Sequence, residues 1–241
     1  MREQHFFFVP DAAAKTELPE DEAKHALRVL RVHAGDTLWL IDGNGTFYEA
    51  EATITNNKHC FFQIKQALPQ EKAWSGGIHL TIAPTKMMDR TEWLTEEVAE
   101  VGVDSFTFLD CQFSERKTIR TDRVDHIVVS AMKQSRKPFK PQVEGMMKFQ
   151  DFIHRPRRGK WFIAHCYEEV ERKDLFTELQ QLSACEDVTL MVGPEGDFSI
   201  DEVREAVDGG AVSVSLGQAR LRTETAGLMA VAMAQLTKRK L

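Results

Sequence analysis

Apolar positions change their spacing once along this chain. Up to about residue 64 they fall in short runs of near-alternating polarity: Phe6-Phe7-Phe8-Val9, Thr37-Leu38-Trp39-Leu40-Ile41, Phe47 to Ile54, and Cys60-Phe61-Phe62-Gln63-Ile64. A period of two sends successive side chains to opposite faces of a strand, so these runs predict four strands. Asp42-Gly43-Asn44-Gly45 separates the second from the third, and glycine there supplies the positive φ that a tight hairpin needs. One helix is predicted among them, Asp21 to Leu30, with Ala23, Ala26, Leu27 and Leu30 on one face. Residues 1–70 therefore read as a small β-barrel.

From Pro69 to Gly77 no periodicity survives, and residues 71–77 read as a linker. Beyond it, over 78–241, strands alternate with helices, the grammar of crossover connections and a mostly parallel sheet. Strands are predicted at Ile78–Pro84, Ser105–Leu109, Trp161–His165, Val188–Val192 and Val212–Leu216. The helix after the first of them is expected to have Asp89 as its cap with Glu92 three residues on, and Gly102 as its stop. A second helix opens at Ser199 with Glu202 completing a capping box, and turns Ile200, Val203 and Val207 inward. The last helix, Ala226 to Leu236, is small and apolar nearly all round. A helix without a polar face needs cover on both sides, which places it in the middle of the domain or at a subunit interface.

Composition narrows the classes. The 241 residues are 42% hydrophobic and 28% charged, with no apolar run near the ~20 residues of a membrane span. The apolar start is shorter than the ~7 residues of a signal-peptide core and is closed by Pro10, so it reads as a strand. Cys60, Cys111, Cys166 and Cys185 lie far apart without a CxxC pair, which fits neither a disulfide framework nor a zinc knuckle. No metal is expected, and the reducing cytoplasm is the expected setting. The net charge of −6 is segregated: from Arg116 to Lys160 thirteen Lys/Arg face four Asp/Glu, a net +9 that leaves −15 for the rest. Such a stretch is the footprint of a polyanion partner. On charge alone, a solvated charged face explains it equally well.

In a parallel sheet the ligand sits beyond the carboxyl ends of the strands. The loop after the first predicted strand, Thr85-Lys86-Met87-Met88-Asp89, has no glycine, which excludes the usual dinucleotide fingerprint there. The glycines come late. Val188–Val192 runs into Gly193-Pro194-Glu195-Gly196-Asp197, and Val212–Leu216 runs into Gly217-Gln218-Ala219-Arg220-Leu221-Arg222-Thr223-Glu224-Thr225-Ala226. Gly193 and Gly196 let backbone approach a ligand, and Glu195 is a carboxylate held at a strand end. A single such turn would be an ordinary strand-to-helix connection; two in successive units are a signal.

These two loops resemble the signature loops of the RsmE family, 16S ribosomal RNA 3-methyluridine methyltransferases. The likeness extends to Asp89-Arg90-Thr91-Glu92-Trp93, Glu100-Val101-Gly102-Val103, Ser114-Glu115-Arg116, Gln134-Ser135-Arg136-Lys137-Pro138 and His25 to Arg31, and so covers essentially the whole chain. The chain departs from the pattern at Ala131-Met132-Lys133 and at Asp197, where a second glycine is common. The resemblance implies an α/β fold: an N-terminal PUA-like β-barrel and a C-terminal SPOUT domain with a mostly parallel sheet and a deep trefoil knot. It also implies a homodimer that takes S-adenosylmethionine as cofactor and 16S ribosomal RNA of the small ribosomal subunit as partner; from composition, no membrane or metal is expected. Cofactor contacts would then fall to Gly193, Gly196, Leu216, Gly217, Leu221, Arg222, Thr225 and Ala226.

Methyl transfer from a sulfonium is an in-line displacement, so orientation supplies most of the acceleration. Uracil N3 bears a weakly acidic proton. Arg222 is the expected stabiliser of charge developing on the ring, and Glu195 the expected proton acceptor or orienter of the arginine. Structural roles compete: Glu195 capping backbone amides, and Arg222 pairing with Glu224. N3 lies on the pairing edge, so the target must leave its stack. Arg28 and Arg31 on the barrel helix, with Arg116, Arg136 and Lys137, are the candidates for gripping phosphates. Two alternatives share the fold: a non-catalytic RNA-binding or assembly protein, and a transferase acting on transfer RNA.

Overall fold

The computed structural model describes residues 4–56 and 58–240. The chain divides into two compact units. One holds the chain up to Lys72 together with Val129–Lys140; the other holds Ala73–Val128 and Pro141–Leu241.

In the first unit β1 (Phe6–Phe8) lies parallel to β2 (Thr37–Ile41), and β2, β3 (Thr46–Thr55) and β4 (Cys60–Pro69) follow as antiparallel neighbours. The hairpin forms where the glycines predict it. Gly43 and Gly45 take φ of 78° and 103°, while Asp42 Oδ1 accepts from the N–H groups of Asn44 and Thr46 at 2.7 and 3.0 Å. Helix α1 (Glu20–Arg28) turns Ala23 and Ala26 onto a core of Phe7, Leu38, Leu40, Ala50 and Phe62. It ends two residues before the expected Leu30. Arg31 therefore lies beyond the helix, at a left-handed φ of 55°, and does not share a helical face with Arg28. Nothing in the periodicity of Val129–Lys140 announces its place in this unit. There Lys133 Nζ donates to Glu22 at 2.7 Å, Gly45 N–H to the Pro138 carbonyl at 3.0 Å, and the Arg136 guanidinium lies 5.5 Å from the centre of the Phe6 ring.

In the second unit seven strands form one sheet: β5 (Ile78–Ile82), β6 (Ser105–Asp110), β7 (Gln142–Lys148), β8 (Lys160–Ala164), β9 (Lys173–Asp174), β10 (Val188–Val192) and β11 (Val212–Ser215). Their order is β7-β6-β5-β10-β8-β11-β9, and every ladder is parallel. The central strands are hydrophobic on both faces because helices cover both: Val188 to Val192 are all buried. The helices are α2 (Met88–Val101), α3 (Thr121–Gln134), α4 (Phe149–Ile153), α5 (Leu175–Gln180), α6 (Ile200–Asp208) and α7 (Thr223–Lys238). The last turns of α3 count with the first unit.

Capping follows expectation at one helix and departs from it at another. Before α6, Ser199 Oγ accepts from Glu202 N–H at 3.2 Å and Glu202 Oε2 accepts from Ser199 N–H at 2.8 Å, a complete capping box. Before α2 the cap position is Met87, without a side-chain bond, and Asp89 sits inside the first turn bonded to Arg90 N–H at 3.0 Å. The helix starts earlier because Thr85 already organises the loop: its Oγ1 donates to the Met87 carbonyl at 2.7 Å, and its N–H donates to Thr91 Oγ1 at 3.0 Å. Helix α7 begins three residues before the expected Ala226. It buries Gly227, Ala230, Val231 and Ala234, while Met229 and Leu236 remain 40% and 55% exposed. One of its faces is therefore left open within the chain.

Candidate active site

Strand β8 lies between β10 and β11, all three parallel. The two glycine-bearing loops thus leave the same end of the sheet, separated by two strand spacings, about 10 Å. The sequence places these loops far apart; the sheet order brings them together.

The exit of β8 ties them to each other. Asp197, last residue of the Pro194–Asp197 turn, takes φ of 68°. Its carboxylate accepts from Cys166 N–H and from Phe198 N–H, both at 2.8 Å. Tyr167 donates its hydroxyl to the Phe198 carbonyl at 2.9 Å. His165 is buried; its Nδ1 receives Tyr167 N–H at 3.2 Å, which leaves the proton on Nε2 to be given to Ser213 Oγ on β11 at 2.8 Å. Burial holds the imidazole below its usual proton affinity, against the opposing pull of the Asp197 carboxylate. A continuous hydrogen-bonded strut therefore joins the Gly193 loop, through Cys166–Tyr167 and His165, to the strand that feeds the Gly217 loop. Sequence reading missed His165 and Tyr167, which belong to no motif; a polar pair directly after a hydrophobic strand was the available sign.

Glu195 is exposed, and its Oε1 accepts Lys86 N–H at 2.8 Å. This bond is the amide-capping alternative raised above, and it links the β10 exit to the β5 exit. Arg116 serves the same loop. Its Nε and Nη2 donate to the carbonyls of Thr85 and Lys86 at 3.1 and 2.7 Å, so its guanidinium is engaged with backbone. Lys86 Nζ pairs with Glu115 at 2.7 Å, which raises its proton affinity. Arg222 is exposed at the cap position of α7. The pairing of Arg222 with Glu224 weighed above is replaced: Glu224 approaches Arg90 instead, at 3.6 Å. Glu224 is 6% exposed, and its Oε2 has no hydrogen-bond partner among the described residues. Leu216, Leu221, Thr225 and Ala226 are half-buried around the second loop, and Gly217 has φ of 117° with nothing within 4 Å of where a Cβ would stand.

Four of the five candidate RNA contacts, Arg28, Arg31, Arg136 and Lys137, lie in the first unit, although Arg136 and Lys137 come from far along the chain. The first three are exposed; Lys137 is half-buried, and burial lowers its proton affinity. An open cleft of about 430 Å³ in this unit is lined by Leu27, Arg28, Thr55 and Asn56.

Comparison with known proteins decides what class of catalyst this arrangement belongs to. A family model described as an RNA methyltransferase domain matches residues 72–235, and one described as an RNA methyltransferase PUA domain matches residues 18–65. The chain belongs to the RNA methyltransferase family. A probable rRNA methyltransferase of Porphyromonas gingivalis is 39% identical with a TM-score of 0.90, over 97% of this chain and 98% of that one. A putative methyltransferase of Legionella pneumophila, solved in complex with the cofactor SAM, is 26% identical with a TM-score of 0.86, again over 97% and 98%. The ribosomal RNA small subunit methyltransferase E of Aquifex aeolicus is 28% identical over 87% of this chain and 89% of its own length. The family's two modules thus correspond to the α/β fold with its parallel sheet and to an N-terminal PUA-like domain. Among the described residues no helix is long and apolar enough to cross a membrane, and no group of three or more His, Cys, Asp or Glu is placed to hold a metal.

Proposed function

We propose that this chain transfers the methyl group of S-adenosylmethionine to N3 of a uridine in 16S ribosomal RNA. The observation that carries the reading is the convergence of the Gly193 and Gly217 loops on either side of β8. The relatives add the reaction class: an RNA methyltransferase domain spans most of the chain, the Aquifex relative is a small-subunit ribosomal RNA methyltransferase, and the Legionella structure holds SAM.

The residues fit that donor. Gly217 leaves open space at a left-handed backbone position, and Leu216 and Leu221 offer apolar surface to a purine. Glu224 Oε2 is a buried acceptor without a donor among the described residues. Such an atom costs roughly 1–3 kcal/mol, which a ligand with hydroxyl or ammonium groups would relieve. Gly193, Gly196, Leu216, Gly217, Leu221, Arg222, Thr225 and Ala226 would hold it. When bound, S-adenosylmethionine supplies a methyl carbon on a sulfonium, open to in-line attack. Glu195, fixed through Oε1 by Lys86 N–H, presents its carboxylate to the N3 proton, and Arg222 at the start of α7 faces the oxygen on which charge develops. Arg116 acts on the β5 exit by holding two carbonyls, and so positions Lys86 and through it Glu195. Arg28, Arg31, Arg136 and Lys137 hold phosphates.

The same reading includes a cytoplasmic homodimer and a trefoil knot in the second domain, with residues 71–77 linking the two domains. In support of the dimer, Met229 and Leu236 on α7 and Trp93 on α2, at 40%, 55% and 42% exposed, leave apolar surface uncovered. In support of the knot, the last strand, β11, enters the sheet between β8 and β9, both of which precede it in the chain.

The test is a labelled-methyl assay on undermethylated small subunits, with mass spectrometry of the product nucleoside. The expected result is 3-methyluridine, with Arg222→Ala reducing turnover far more than cofactor affinity. No incorporation, or methyl on another atom, would overturn the assignment.

A further inference from the structure

Phe113 is a large aromatic side chain left 45% exposed in the second unit. It stands three residues past the end of β6, on a turn built to hold it still. Ser114 N–H donates to the Cys111 carbonyl at 3.1 Å, and Cys111 N–H donates to Ser114 Oγ at 3.0 Å. Gln112 N–H donates to Glu202 Oε1 at 2.8 Å, which anchors the turn to the cap of α6. Ser114 and Glu202 are both buried. An aromatic ring exposed on a mobile loop would need no explanation; one displayed on a turn pinned at three points does.

Its place in the fold says what it faces. A Cβ built on Gly196 would lie 3.1 Å from Phe113 Cβ and 3.8 Å from Cγ, so the aromatic side chain rests on bare glycine backbone. Gly196 follows Glu195, the carboxylate tied to Lys86, and Arg116, three residues after Phe113, holds the same β5 loop. The ring therefore borders the strand-end loops. An apolar π-face rigidly set against the glycine that follows the Glu195 carboxylate suits a nucleobase that has left its stack.

We propose that Phe113 is the stacking platform for an unpaired base of the RNA substrate at the mouth of the active site. The proposal rests on the reading of the chain as an RNA-modifying enzyme and adds a binding residue to it. Removing the base from its helix exposes both faces of the ring; Phe113 covers one of them, so the extruded base is held without a sequence-specific hydrogen bond. A side chain at Gly196 would require the platform to give by a few tenths of an ångström.

The test compares the native chain with Phe113→Leu, Phe113→Trp and Phe113→Ala on undermethylated small subunits. Leucine keeps Cβ and Cγ against Gly196 and removes only the π-face. The expected KM for subunits rises about 5- to 150-fold in Phe113→Leu and Phe113→Ala, the range given by base–aromatic stacking, and returns close to native in Phe113→Trp. Cofactor affinity, by calorimetry with S-adenosylmethionine, stays within about twofold in all three. Because stacking neutralises no phosphate, the slope of log affinity against log salt stays unchanged while affinity falls. Equal behaviour of leucine and native would overturn the proposal, as would a flattened salt slope or a cofactor-affinity loss matching the KM change, which would make Phe113 a packing residue. If the native chain itself methylates no subunit, the enzyme reading fails instead, and the two failures are thereby distinguished.

Discussion

Asp197 gives the sharpest test of the strut that joins the two loops. It holds φ of 68°, a conformation that glycine adopts freely and a residue with a Cβ adopts at roughly 1–2 kcal/mol. Its carboxylate compensates by accepting from Cys166 N–H and Phe198 N–H at 2.8 Å each. Hydrogen bonds to a charged group are worth roughly 1.5–3 kcal/mol when shielded, and less here, because Asp197 is only half-buried and Cys166 is exposed. Taking about 1 kcal/mol for each bond after screening, Asp197→Gly loses about 2 kcal/mol of contact and regains about 1 in backbone strain. Asp197→Ala loses the same contacts and keeps the strain, a net cost of about 2–3 kcal/mol. Asp197→Asn tolerates the left-handed region and retains one of the two acceptors, for a cost of about 1 kcal/mol. In the expected order of S-adenosylmethionine affinity and of thermal stability the native chain therefore comes first, Asn and Gly follow close together, and Ala comes last. Each 1 kcal/mol is about fivefold in Kd, so Gly and Ala should differ by about that factor in calorimetry. Hydrogen exchange at Cys166 and Phe198 should quicken in Gly and Ala alike. An alanine variant as good as glycine would refute the strain argument, and unaltered affinity in all three would refute the strut itself.

Two other outcomes follow from neighbouring groups. Glu202→Ala removes the capping-box partner of Ser199 and leaves Gln112 N–H without its acceptor, so the urea midpoint should fall by an amount equivalent to about 2–4 kcal/mol; a loss under about 1 kcal/mol would mean that water replaces the carboxylate. His165 titrates below its usual value of 6.5 because it is buried, so the unfolded chain takes up the proton first. Its contribution to stability is complete above pH ~6.5 and is lost as pH falls below that value, while protonated Nδ1 no longer accepts Tyr167 N–H. Urea midpoints between pH 7.5 and 5.5 should fall less steeply in His165→Gln than in the native chain, and parallel profiles would exclude the histidine as the source.

Local chemistry was legible in the sequence because it is written in neighbouring residues. The hairpin at Asp42–Gly45, the stop at Gly102 and the capping box of Ser199 with Glu202 each depend on atoms a few positions apart, and each stands in the structure as its residue types require. The alternation of strand and helix likewise announced a parallel sheet. Asp89 failed as a cap for the same local reason working elsewhere: Thr85 closed the turn before it. The edge strands β7 and β9 left no mark, since β7 buries none of its residues fully and β9 is two residues long. What only the tertiary structure decided is which distant segments meet. Strand order places β8 between the two glycine loops, which makes His165 a bridge rather than an ordinary core histidine and gives Asp197 a partner in Cys166. It also sets Phe113 on Gly196, and recruits Val129–Lys140 to the first unit. Periodicity along a chain encodes which face of an element is buried, whereas the neighbour it is buried against depends on the order in which strands add to a sheet, and no local pattern carries that order.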